Sequence, residues 1–134
     1  MDLKNYLEQH ESIKEEMNAI KKLTASSNIA DHARDIALHI STLAGRIKIH
    51  LSMEDKYLYP GLKERGSEQI KNMATAYQKE MGGLADVFVI YKDQYNTAPK
   101  IQQNLKNLKS DTDKVFSEIE KRINKEESEL YKFI

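Results

Sequence analysis

The sequence predicts an all-α fold, an up-down-up-down antiparallel four-helix bundle. Apolar residues recur at spacings of three and four along most of the chain, which is the helical period. Only 5 glycines and 2 prolines interrupt 134 residues, so few breaks are available. Hydrophobic residues make up 40% and charged ones 31%, and Leu, Ile, Lys, Glu and Ala dominate, as in long amphipathic helices. This length suits a single domain, residues 1–134, with one core.

The first helix is expected from about Asp2 to Leu23, with the stripe Leu3, Tyr6, Leu7, Ile13, Met17 and Ile20. His10 falls on that stripe. Thr24-Ala25-Ser26-Ser27-Asn28 is polar and turn-prone, so the first loop belongs there. The second helix is expected from about Ile29 to Leu62, capped by Asn28 or Asp31. Its stripe is Ile36, Ile40, Leu43, Ile47, His50, Glu54 and Leu58, and Pro60 softens its end. The third runs from about Ser67 to Tyr95 on Ile70, Ala74, Tyr77, Met81, Leu84, Phe88 and Tyr91. Gly82-Gly83 in its middle costs about 1–2 kcal/mol relative to alanine, so close packing or a kink is expected there. The fourth starts at Pro99, which suits a first turn. It continues on Ile101, Leu105, Leu108, Val115, Ile119, Arg122, Glu126 and Leu130.

A weak duplication runs through these helices. At an offset of 72, Ile47 matches Ile119, Glu54 matches Glu126, Leu58 matches Leu130 and Tyr59 matches Tyr131, while His50 faces Arg122. At an offset of 71, Tyr6 matches Tyr77, Ile13 matches Leu84 and Met17 matches Phe88, while His10 faces Met81. The chain reads as two related helix pairs, the first carrying histidines where the second carries Met81 and Arg122.

Polar groups on a core stripe need partners, because burying them alone is costly. His50 and Glu54 are four apart and share a face, as do Arg122 and Glu126. With His10 they form one inward layer. Two imidazoles and two carboxylates suit a metal site in a bundle core. The same residues also suit a buried salt-bridge network completed by Arg122, the less favoured of the two readings. His32 and His39 lie 18 and 11 residues before His50, too far along the axis to share a metal with it.

The composition excludes several classes. There are 21 basic and 21 acidic residues and no cysteine. Nucleic acid is therefore not an expected partner, and disulfides, thiolate ligands and iron–sulfur clusters are excluded. No apolar run is long enough to span a membrane. Met1-Asp2-Leu3-Lys4 is not the basic-then-apolar opening of a leader, so a cytoplasmic protein is expected.

Three segments resemble the hemerythrin-like HHE family. They are Glu8-Gln9-His10-Glu11, the run from His50 through Glu54-Asp55 to Tyr59-Pro60, and Asn124 to Tyr131 around Glu126-Glu127. The resemblance covers nearly the whole chain. It implies a four-helix bundle that holds non-haem iron. It also implies that His10, His50, Glu54 and Glu126 are metal ligands, and that Met81 and Arg122 stand where the family has histidines. A half-site with one iron per chain is expected; two or none are the alternatives. In it Arg122 replaces the second cation and Met81 fills the space. Tyr6 and Tyr77 line the site or donate hydrogen bonds to its ligands, or are simply core. The implied roles are binding of a small diatomic ligand (oxygen or nitric oxide), sensing, or iron handling. No acid/base or nucleophile arrangement calls for an enzyme. The competing expectation is a metal-free interaction or scaffold protein, with Arg122 pairing the core carboxylates. Monomer and homodimer are both left open.

Overall fold

The apolar stripes fold as helices, and a computed structural model describes residues 3–134. The expected start at Asp2 lies outside the described residues. Helix α1 is Leu3–Thr24 and α2 is Ala33–Met53; α3 is Tyr59–Arg65 and α4 is Glu68–Tyr95; α5 is Ala98–Gln103 and α6 is Leu105–Lys125. No strand occurs among the described residues. No described helix is long and apolar enough to cross a membrane.

The expected second and fourth helices are each interrupted, for local reasons. Ile29–His32 forms a 3-10 turn before α2. Neither Asn28 nor Asp31 caps it through a side chain, contrary to expectation. Asn28 instead directs its N–H to Ser26 Oγ at 3.2 Å, and Asp31 lies inside the turn. Between α2 and α3, Glu54–Leu58 widens into a π turn in which the Tyr59 N–H reaches back to the Glu54 carbonyl. Pro60 follows directly, with no N–H to give and a ring that crowds the preceding turn. In the fourth segment, Asn104 breaks the helix at φ −128° while its side chain bonds the Lys100 carbonyl at 3.0 Å. A second π turn, Glu126–Leu130, closes with the Tyr131 N–H on the Glu126 carbonyl. The helix starts at Ser67 and Thr97 have ordinary caps: their hydroxyls accept from Ile70 N and Lys100 N, both at 3.3 Å.

Helix α1 packs on α2 and α6, and α4 packs on the same two. Two apolar clusters result. One holds Ile13, Met17, Ile20, Ile36, Ile40, Leu43, Phe88, Tyr91, Phe116 and Ile119; the other holds Tyr6, Leu58, Tyr59, Leu62, Ala74, Tyr77, Leu130 and Tyr131. A layer of buried polar side chains lies between them: His10, His50, Glu54, Arg122 and Glu126. Following the chain, α1 and α4 run from the tyrosine-rich cluster past this layer to the larger one. The segments through α2 and α6 run the other way. Leu3, expected on the inward stripe, is largely exposed, and Ile70, Met81 and Leu84 are only partly buried.

The glycines do not act as the sequence suggests. α4 continues through Gly82 and Gly83, and a Cβ at either would meet nothing within 4 Å. They serve no close packing. At Gly66 a Cβ would lie 2.5 Å from the Leu62 carbonyl oxygen and 2.6 Å from the Ile70 side chain. Gly82→Ala and Gly83→Ala are each expected to stabilise the protein by about 0.5–1 kcal/mol. Gly66→Ala is expected to destabilise it by about 1–3 kcal/mol. Urea unfolding of the three variants checks this; a loss of stability at Gly82 would mean that α4 packs differently.

Candidate metal centre

Three helical segments deliver the five inward polar residues. α1 presents His10, and α2 presents His50 one turn before the π turn that presents Glu54. α6 presents Arg122 one turn before Glu126, at the start of the other π turn. All five are at most 5% exposed.

Glu126 is the hub. Its Oε1 lies 2.9 Å from His10 Nε2 and 3.4 Å from His50 Nε2. The Tyr131 hydroxyl lies 3.2 Å from the same oxygen. Its Oε2 accepts from Arg122 Nε at 2.9 Å. The two imidazole Nε2 atoms are 3.2 Å apart. Glu54 Oε2 is 3.4 Å from His50 Nε2 and accepts from the Tyr131 hydroxyl at 2.9 Å, while Glu54 Oε1 is buried with no hydrogen-bond partner.

The outer ring nitrogens fix the tautomers. His10 Nδ1 faces the Glu127 carboxylate at 2.8 Å, and His50 Nδ1 faces Gln9 Oε1 at 2.8 Å. Both oxygens only accept, so both Nδ1 atoms carry protons. The Nε2 positions are then left to the interior, which is the arrangement of metal-ligating histidines. His10, His50 and Glu126 each bring one ligand atom within 4.8 Å of the others. Donors that hold one ion at about 2.1 Å lie about 3.0 Å apart at right angles and about 3.4 Å apart at tetrahedral angles. The distances above span that interval. Close approaches between acceptor atoms need positive charge between them, supplied by protons or by a metal ion. With the orphaned Glu54 oxygen, the donor set fits a divalent or trivalent cation.

The two carboxyls are driven apart. Burial pushes Glu54 above the usual carboxylate range, more than its bonds to His50 and Tyr131 lower it. For Glu126, burial is outweighed by hydrogen bonds from His10 and His50, which hold it well below that range. Burial alone would lower His50, but Glu126 and Glu54 outweigh it and push it up to about 9. Without metal, a proton on His50 supplies the positive charge.

Arg122 also donates from Nη2 to the Tyr59 hydroxyl at 3.1 Å and the Tyr77 carbonyl at 2.9 Å, and lies over the Tyr77 ring. Of the two core carboxylates it reaches only Glu126, while its Nη1 lies 3.5 Å from the exposed Glu80; Glu54 is served by Tyr131 instead. Met81 lines an apolar cavity of about 20 Å³ with Leu84, Phe88 and Ile119, beside His50, Arg122 and Glu126. The Tyr6 and Tyr77 hydroxyls bond elsewhere, Tyr6 to the Met53 carbonyl at 3.4 Å and Tyr77 to Glu129, while the Tyr6 ring lines the site edge-on to His50 at 6.2 Å. Sequence reasoning passed over Gln9, Glu127, Tyr59 and above all Tyr131. The repeat pairs Tyr59 with Tyr131, and that signal was available.

A model of the hemerythrin HHE cation-binding domain matches residues 1–134. No curated protein and no solved structure matches the chain.

Two outcomes follow from this geometry. His50 has a folded-state value above the 6.5 of an unfolded chain, so its charge stabilises the metal-free fold fully below about pH 6.5. That contribution, about 3 kcal/mol at most, is lost as pH rises through about 9. Melting temperatures across that window should fall for the metal-free parent and stay flatter for His50→Gln. Arg122→Ala strips Glu126 Oε2 of its buried partner and should cost about 3–5 kcal/mol in denaturant unfolding. A variant that melts like the parent would remove Arg122 from this role.

Proposed function

Since the chain belongs to the hemerythrin family of HHE cation-binding domains, we propose that it holds one non-haem iron ion on His10, His50, Glu54 and Glu126, inside an up-down-up-down four-helix bundle. The observation that carries this reading is the pair of imidazoles turned Nε2-inward by Glu127 and Gln9 onto one shared carboxylate. The bundle topology is supported by the alternating direction in which the four long segments pass the polar layer.

One ion rather than two follows from the other side of Glu126. There a guanidinium takes the outer carboxylate oxygen, and the adjoining space is an apolar cavity beside a thioether. Guanidinium has no lone pair to give a metal, and thioether sulfur suits soft ions rather than iron in an oxygen-rich site. Arg122 acts as a fixed counter-ion that orients Glu126. Bound iron would supply Lewis-acid and one-electron chemistry, with a role in small-ligand binding (oxygen or nitric oxide), sensing or iron handling. Gln9 and Glu127 hold the imidazoles in the ligating tautomer, and the apolar layers above and below exclude water.

One observation favours a second reading, a metal-free scaffold. Arg122 and the His50 proton together can neutralise the carboxylates without any ion. Elemental analysis separates the two, using chain purified without chelator and reloaded anaerobically with iron(II). About one iron per chain, lost in His50→Ala, is the expected result. Two would mean that further ligands exist. None, in folded protein, would leave the scaffold.

A further inference from the structure

We propose that Tyr131 is a fifth donor to this metal, as a phenolate, and that this third anionic oxygen makes the site favour a trivalent ion. The inference rests on the metal reading above and adds to it a residue, a charge state and an optical signature.

Position carries it. The Tyr131 oxygen lies 2.9 Å from Glu54 Oε2, 3.1 Å from His10 Nε2 and 3.2 Å from Glu126 Oε1. Taken in order, His10, His50, Glu54 and Tyr131 close a ring with successive separations of 3.2, 3.4, 2.9 and 3.1 Å. Glu126 Oε1 caps three corners of that ring. The phenol oxygen thus lies within hydrogen-bond distance of three of the four proposed ligands, where it would serve a bound ion as a further oxygen donor. The other tyrosines around the layer direct their hydroxyls elsewhere: Tyr6 to a backbone carbonyl, Tyr59 to Arg122, Tyr77 to Glu129. Tyr131 is held in place by stacking on His10 at 5.3 Å and by the Tyr6 ring at 5.5 Å.

Charge carries the second half. Glu54, Glu126 and a phenolate bring three anionic oxygen donors to a layer from which water is excluded, and Arg122 offsets one of the three charges. Hard anionic oxygens also favour the higher oxidation state of iron. When the ion is taken up, the phenol proton leaves to solvent and an oxygen–metal bond replaces the O–H bond. No electron moves.

The test uses the full chain with iron(III) supplied as its citrate, followed by desalting, iron analysis, visible absorption and resonance Raman spectroscopy. The parent and Tyr57→Phe, a change at an exposed tyrosine, should retain about one iron and show a phenolate-to-iron charge-transfer band. Tyr131→Phe should lose the band and bind iron(III) about tenfold or more weakly. Iron-loaded parent without the band, or a band surviving in Tyr131→Phe, would overturn the role of Tyr131 and leave the metal site standing. A parent that retains no iron would overturn both. Should Tyr131→Phe fail to fold, phenolate vibrations persisting in each of Tyr6→Phe, Tyr59→Phe and Tyr77→Phe would assign the band to Tyr131, and their disappearance from any iron-loaded member of the three would refute it.

Discussion

The structure turns on one buried carboxylate. Glu126 is 1% exposed and remains ionised. An ionised carboxylate in a protein core is tolerable only when surrounded by donors and opposite charge. Each helix around it answers that demand: α1 with His10, α2 with His50, and α6 itself with Arg122 one turn away. The remaining polar contacts are consequences. Tyr59 and the Tyr77 carbonyl anchor the guanidinium, and Gln9 and Glu127 anchor the imidazoles. A single oxygen pair thereby fixes how the helices face one another in the middle of the molecule, where apolar packing alone would permit sliding.

The two π turns set which side chains reach that oxygen pair. An α-helix turns about 100° per residue. Five residues beyond Glu126, Tyr131 would lie about 140° round an unbroken helix, away from the layer. The wider turn gives up one ordinary hydrogen-bond register and brings Tyr131 back inward, and its counterpart does the same for Tyr59 after Glu54. Such turns often occur at functional sites, where a local irregularity re-aims a side chain.

This explains what the sequence made legible and what it did not. Wherever the helical period is regular, the inward face is readable: Ile36 through Glu54 and Val115 through Glu126 are buried as the stripe implies. The meeting of His10, His50, Glu54, Arg122 and Glu126 in one layer was readable for the same reason. Tyr131 was not readable by period, because period counting assumes the very turn that is broken there; only the repeat of Tyr59 marked it. Arg122 was expected to bridge both carboxylates but serves one, since the phenol hydroxyl already occupies the other. The glycine pair in α4 suggested packing only because a sequence does not say whether a face has a neighbour.

Arg122 has one further implication. A counter-charge built into the polypeptide cannot be chelated, diluted or outcompeted, unlike one borrowed from solution. The positive charge on one side of Glu126 is here inherited with every copy of the chain. The polar layer can therefore be assembled by the polypeptide alone. If the proposed ion is bound, its occupancy becomes a quantity that varies with supply, while the scaffold around it stays the same.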